Sequence, residues 1–231
     1  MSSYFACRPA RNVLQSTSSS LKVLSRTTNY VGHLDGNMQI KTEAAWTNEP
    51  AEWRVDSQGR LIARARPRSD FWRKTRNGFI ADSGHLYSVQ VRGDFVARLH
   101  VAGEFKEQYD QAGLMVMLNN AVWLKAGLEY VDGLYHFSSV VTHDYSDWAL
   151  SHAVDAPALW VMVERDRDNF IISASLDGQR FSVARECTLT DNFTLEVGPY
   201  LAAPAGEGFV ATFSAFEIHQ PRQPRRMAES S

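Results

Sequence analysis

The sequence predicts an all-β chain, an antiparallel sandwich or barrel, on three observations. About a dozen short strand-like runs follow one another with only short turns between them. Hardly any stretch carries a helical period of useful length, and no repeat period appears. Asp-Gly and Gly-containing turns punctuate runs whose apolar residues recur at period 2.

The strands can be taken in order. Glu52–Val55 and Arg60–Arg66 flank Asp56-Ser57-Gln58-Gly59, a four-residue hairpin loop closed by glycine. Asp70, Phe71 and Trp72 follow Pro67 in a stretch that reads as loop. His85–Val91 and Phe95–Val101 flank Arg92-Gly93-Asp94. Strands are then expected at 111–118, 122–131 and 134–143, with His143, Asp144 and Asp147 in the loop beyond. Leu159–Glu164 alternates, Phe170–Ser175 runs into the turn Leu176-Asp177-Gly178-Gln179, and Phe181–Arg185 returns. Phe193–Tyr200 and Phe209–Ile218 close the set.

At 231 residues, with 44% apolar and 11% aromatic residues, the chain is long enough to fill one core. Three regions are expected: a leader over 1–36, one β-sandwich domain over 37–220, and a polar, Pro-bearing tail over 221–231. The first 34 residues hold Arg8, Arg11, Lys22 and Arg26 and no acid. On a helix these cations fall within about 60° of one another, opposite Val13, Leu14, Leu21 and Leu24. A basic, Ser-rich, acid-free amphipathic leader is the pattern of mitochondrial import, with cleavage expected near Arg26–Tyr30; a cytoplasmic chain with a merely irregular N-terminus is the alternative. The remaining residues are net acidic, which argues against a nucleic-acid partner. No apolar run approaches the roughly 20 residues of a membrane span. Cys7 falls in the leader and Cys187 stands alone in the domain, as suits a reducing compartment.

The densest polar pattern lies around Val122–Val131. Even positions Val122, Leu124, Ala126, Leu128 and Tyr130 are expected in the core. Odd positions Trp123, Lys125, Gly127 and Glu129 are expected on an outward face. Asp132-Gly133 signals a type I′ hairpin, which pairs Glu129 with His136, Gly127 with Ser138, Lys125 with Val140 and Trp123 with Thr142. Setting Met117 opposite Trp123 brings Gln111, Met115 and Met117 to the same face. An aromatic ring beside a charged donor and an acceptor suits a sugar: the ring stacks on a pyranose and the charges bracket its hydroxyls. Gly127 would let that ligand approach the backbone. The expected ligand-binding set is Gln111, Trp123, Lys125, Gly127, Glu129 and His136, with Trp72 as a second stacking platform or as core. The competing expectation is an ordinary solvated face with a weak Lys125–Glu129 pair.

No catalytic residue stands out. Glu129 is a candidate acid needing a partner from Asp70, Asp144, Asp147 or Glu164, and His136 a candidate proton-transfer partner opposite it. Asp144 and Asp147 are weak candidates for a metal, which needs more ligands than these. Asp110 is expected to cap a turn. No Gly-rich phosphate loop, Ser-His-Asp signature or Cys-pair zinc site is present, so no cofactor is expected.

Six segments, WTNEP (46–50), SDFWRKTRNGF (69–79), YDQAGLMV (109–116), WLKAGLEY (123–130), SSVVTHDYSDW (138–148) and SLDGQRF (175–181), resemble the DUF1349 family in order and spacing. The resemblance covers roughly 38–219 and implies a two-sheet antiparallel jelly-roll sandwich of the concanavalin A-like lectin/glucanase type, with one sheet bent into a concave face. It also implies a function to weigh against the sugar site: a protein-interaction or regulatory module acting on a metabolic enzyme such as enolase. A glucanase on such a fold presents several carboxylates along one strand, whereas here the candidate strand offers Glu129 alone. A non-catalytic carbohydrate-binding-like protein is therefore expected first, a glycan-processing enzyme second and a regulatory module third, with a carbohydrate or small polar ligand as partner.

Overall fold

The computed structural model describes residues 44–220. The expected leader, its cleavage site and the expected tail lie outside the described residues. Sixteen strands, numbered in chain order, build two antiparallel sheets of seven and a separate hairpin, with no helix among the described residues. The first sheet runs β1 (Ala45–Thr47), β6 (His85–Arg92), β15 (Thr194–Ala202), β8 (Gln111–Asn119), β9 (Val122–Val131), β10 (Leu134–His143) and β11 (Tyr145–Val154). The second runs β14 (Ser182–Thr188), β13 (Asn169–Ser175), β12 (Ala158–Asp166), β7 (Phe95–Gly103), β16 (Val210–His219), β3 (Leu61–Arg64) and β2 (Trp53–Val55). The fold is thus the all-β, antiparallel two-sheet jelly-roll sandwich that the sequence leads one to expect.

The core forms where the alternating apolar residues of the two sheets meet. Leu114, Val116, Leu124, Ala126 and Leu128 from the first sheet pack with Leu99, Val101, Val161, Val163 and Phe213 from the second. Each such large side chain contributes roughly 1.5–3 kcal/mol on burial. The β9–β10 hairpin turns at Asp132 and Gly133, whose φ of 52° and 83° are both left-handed, as a type I′ turn requires. Its register matches the sequence reading pair by pair, from Val131 with Leu134 to Trp123 with Thr142. Met117 likewise lies opposite Trp123, and Leu114 and Val116 oppose Ala126 and Leu124.

Two segments read as loops are strands. The stretch after Pro67 folds into β4 (Phe71–Arg73) and β5 (Ile80–Asp82), a hairpin paired only with itself. The stretch beyond His143 turns at Asp144, φ 60°, and returns as the ten-residue edge strand β11. Neither had a strong period to betray it. β4 and β5 are three residues each, and β11 is exposed along nearly all its length, so no buried face imposes alternation.

The hairpin changes the meaning of the first sheet's outward face. Phe71 lies fully buried on that face with Leu86, Met115, Met117, Trp123, Val140 and Tyr200, and Trp72 packs against them. β8 and β9 are consequently buried on both faces over most of their length. The hairpin is held by several anchors. Arg73 N donates to Ser146 Oγ at 2.9 Å, the Arg73 guanidinium meets Asp144 at 3.1 Å, and Lys74 also pairs with Asp144. From the other side, Asn48 Nδ2 donates to the carbonyls of Asp82 and Gly84 at 2.7 and 2.8 Å.

Candidate functional site

A cleft of about 610 Å³ opens on this covered face, within the range of small-molecule sites. Its floor is Gln111 from β8, Lys125 and Glu129 from β9, and Val140 from β10. One wall is the β4–β5 turn with Trp72, Thr75, Arg76, Asn77 and Phe79, and another is Tyr145 to Trp148 of β11. Tyr109, Asp70 and Pro204 complete the lining.

Lys125 is almost wholly buried, at 2% exposure, so its ammonium needs partners in place of water. It donates to the Phe71 carbonyl at 2.7 Å and to Gln111 Oε1 at 2.6 Å, with Asp70 Oδ1 at 3.5 Å. The same ammonium lies 5.5 Å from the centre of the Trp123 ring and 5.9 Å from that of Tyr200. Gln111 is fixed in turn, its amide nitrogen donating to the Tyr109 carbonyl at 3.2 Å. Glu129 accepts from the Trp148 indole N–H at 2.9 Å. Burial pushes the Glu129 carboxyl above the usual glutamate range, against the opposing pull of Lys125 and of hydrogen bonds from Ser138 and Trp148. The floor is therefore a desolvated, hydrogen-bonded polar set whose geometry is fixed before any ligand arrives.

Aromatic rings surround the mouth. Phe79, Tyr109, Tyr145 and Trp148 all line the cleft and stay between 37% and 61% exposed, an arrangement that offers flat apolar faces to a ligand. Trp148 and Tyr109 meet edge to face at 6.4 Å, and the Lys74 ammonium sits 5.2 Å from the centre of the Tyr145 ring.

The sequence-derived set divides. Gln111, Lys125, Glu129 and Trp72 come together in the cleft, Trp72 with its indole N–H given to the Thr75 carbonyl at 3.1 Å. Trp123 does not serve as an exposed stacking platform. It has no exposure, packs 6.2 Å from Phe71 and donates its indole N–H to the Asn120 carbonyl at 3.1 Å. The β4–β5 hairpin takes the space a ligand was expected to occupy. Gly127 likewise gives no room to a ligand, because a Cβ there would lie 2.1 Å from the Ala112 carbonyl oxygen. It is a close approach of neighbouring backbones.

His136 lies opposite Glu129 in the ladder but bonds the Ser151 carbonyl through Nδ1 at 2.8 Å and does not line the cleft. Asp144 and Asp147 are occupied by cations: Asp144 by Arg73 and Lys74, Asp147 by Arg185 at 3.0 Å. Among the described residues no three His, Cys, Asp or Glu side chains are grouped to hold a metal ion. Asp110 caps its turn as expected, accepting from the backbone N–H of Lys106 and Glu107 at 2.9 and 3.0 Å. Of the acids weighed as partners for Glu129, Asp70 and Asp147 share its cleft.

Sequence reasoning missed Tyr109, Tyr145, Trp148, Arg76 and Phe79. Trp148 was recoverable. The strand pairing sets it opposite Val140, itself opposite Lys125, so extending the β9–β10 ladder by one strand leads to it.

What fold and site define together is a β-sandwich carrying a covered, aromatic-rimmed cleft on one sheet. The chain belongs to the family described as a protein of unknown function (DUF1349), whose pattern matches residues 46–221. It is 32% identical over 181 residues to Regulation of enolase protein 1 of Saccharomyces cerevisiae, covering 78% of this chain and 91% of that one. A crystal structure of a functionally unknown protein from Saccharomyces cerevisiae superposes with a TM-score of 0.74 at 32% identity, over 78% of this chain and 97% of the other. The GH43 protein BlXynB of Bacillus licheniformis shares the fold at 14% identity and a TM-score of 0.61, over 76% of this chain and only 36% of that protein.

Proposed function

We propose that this protein is a non-catalytic β-sandwich that binds a carbohydrate or similar small polar ligand in the cleft beneath the β4–β5 hairpin. The observation that carries it is the pairing of an aromatic mouth (Tyr109, Tyr145, Trp148) with a fixed polar floor (Gln111, Lys125, Glu129) in one cavity of ligand size. Rings take the apolar face of a pyranose, while a carboxamide, an ammonium and a carboxyl address its hydroxyls. Calorimetric titration of mono- and oligosaccharides tests the reading. Tyr145→Ala should weaken binding at least tenfold while moving the unfolding midpoint little, since that ring is 61% exposed. Trp148→Ala should weaken binding as much and also lower the midpoint, because it removes the donor to the buried Glu129 carboxyl. Failure of the unaltered protein to bind any saccharide would sink it.

A second reading rests on acids in the same cleft. Glu129, held toward its protonated form by burial, faces a space that Asp70 and Asp147 also line, the ingredients of glycoside hydrolysis. Glu129→Gln separates the two: a binding module keeps part of its affinity, whereas a hydrolase loses turnover almost completely. The name of the yeast relative supports a third, a regulatory module acting on a metabolic enzyme such as enolase. The exposed Ile80, Tyr145, Trp148 and Leu150 would then contact the enzyme, and retained association with purified enolase after Trp148→Ala and Tyr145→Ala would count against it.

A further inference from the structure

The turn joining β4 to β5 brings three cations within four residues, and they are used differently. Arg73 meets Asp144 at 3.1 Å and Asp82 at 3.5 Å. Lys74 pairs with the same Asp144. Arg76 enters no ion pair among the described residues, is exposed, and is the one of the three that lines the cleft.

The backbone makes that placement deliberate. Arg76 has φ 75°, in the left-handed region where glycine is free and a long side chain is disfavoured. The turn around it is closed by its own hydrogen bonds, Lys74 N to the Phe79 carbonyl at 2.8 Å and Gly78 N to the Lys74 carbonyl at 2.7 Å. Trp72 adds its indole bond to the Thr75 carbonyl. A turn that would form more easily with glycine at this position carries a guanidinium there instead. Lys74, φ 55°, has the same left-handed backbone but is taken up by Asp144, so Arg76 is the strained cation of this turn that lines the cleft.

The other charges of the cleft are already matched. Asp70 faces the Lys125 ammonium and Asp147 the Arg185 guanidinium. The Glu129 carboxyl is buried on the floor, accepts from Trp148 and has Lys125 as its neighbouring cation, and among the described residues no ion pair joins it to Arg76. One positive group, Arg76, therefore stands without an ion-pair partner among the described residues in a cleft that the rings of Tyr145 and Trp148 also line. A guanidinium is built for planar, two-point recognition of a carboxylate or a phosphate.

We propose that the cleft takes an anionic sugar, a pyranose bearing a carboxylate or a phosphate, with Arg76 binding the anionic group and the rim rings the sugar face. This rests on the reading of the cleft as a carbohydrate site and narrows it. Neutral sugars that satisfy the rings and floor gain nothing from the solvent-exposed Arg76, so they should bind more weakly than their anionic counterparts.

Calorimetric titration of the full chain with glucose, glucuronate, glucose 6-phosphate and inorganic phosphate tests this. The expected result is at least tenfold tighter binding of glucuronate or glucose 6-phosphate than of glucose, weakening as salt rises; which of the two is tighter identifies the anion. Arg76→Gly, which fits the left-handed backbone and so preserves the turn, should erase that preference by bringing the anionic sugars down to the affinity of glucose. Arg76→Lys should retain part of it. Equal affinity for glucose and the anionic sugars, untouched by Arg76→Gly, overturns the proposal and leaves the carbohydrate site standing. Binding of inorganic phosphate as tight as that of glucose 6-phosphate overturns the sugar requirement, and no binding of any sugar overturns both.

Discussion

Trp123→Ala is expected to cost roughly 3–5 kcal/mol, the range for emptying a large aromatic from a packed core. Trp123 has no solvent exposure and is packed with Phe71, Met115, Met117 and Tyr200 under the β4–β5 hairpin. Leu124→Ala, on the opposite face of the same strand, should cost roughly 2–5 kcal/mol by the same mechanism. Denaturant unfolding of the two variants side by side is the measurement. Both midpoints should fall, because β9 is buried on both faces. A Trp123→Ala midpoint close to that of the unaltered protein would mean that the hairpin does not cover the sheet as described.

Lys125→Ala is expected to cost about as much for a different reason. Its removal strands the Phe71 carbonyl and Gln111 Oε1 without their donor and leaves the Asp70 carboxylate without its nearest cation. Breaking one side of a buried polar set costs roughly 3–5 kcal/mol. A pH signature distinguishes this from simple loss of packing. The Glu129 carboxyl binds its proton more tightly in the folded protein than in the unfolded chain, so stability falls as pH rises from the unfolded value, about 4.3, through the higher folded one. Lys125 is the cation that holds the folded value down, so its loss should raise that value and deepen the fall. Unfolding of Lys125→Ala and of Lys125→Ala/Glu129→Gln between pH 4 and 8 reads this directly. The single variant should lose more stability with rising pH than the unaltered protein, and the double variant should lose the excess. A pH-independent penalty would show that Lys125 and Glu129 do not sense one another.

The hairpin register from Val131 to Thr142 was legible in the sequence because one buried face and one Asp-Gly turn admit few alternatives. So was the convergence of Gln111, Lys125 and Glu129, which needs only period 2 and that register. Alternation alone does not reveal whether the second face meets water or other parts of the chain. Trp123 and Lys125 read as outward-facing residues, and they are outward from the sandwich, but a second layer lies over them. That layer, Phe71 and Trp72, is separated from β9 by about fifty residues and is built from strands too short to show a period. The outer wall of the cleft escaped for a related cause. β11 is an edge strand exposed along most of its length, and an exposed strand has no reason to alternate.

The β4–β5 hairpin divides the molecule's labour. Its strands bury Phe71 and carry the carbonyl that Lys125 holds, so they belong to the part of the chain that must fold. Its turn, from Arg76 to Phe79, is exposed and contributes wall to the cleft without entering the core. A segment of this kind tolerates replacement, since loop length costs little free energy and no buried contact is lost. If the cleft binds a ligand as proposed, its range can thus be rewritten at Arg76, Asn77 and Phe79 while both sheets stay as they are. Grafting a different turn between Thr75 and Ile80 should shift ligand preference and leave the unfolding midpoint almost where it was; a midpoint that dropped along with binding would show that recognition and folding share the same residues.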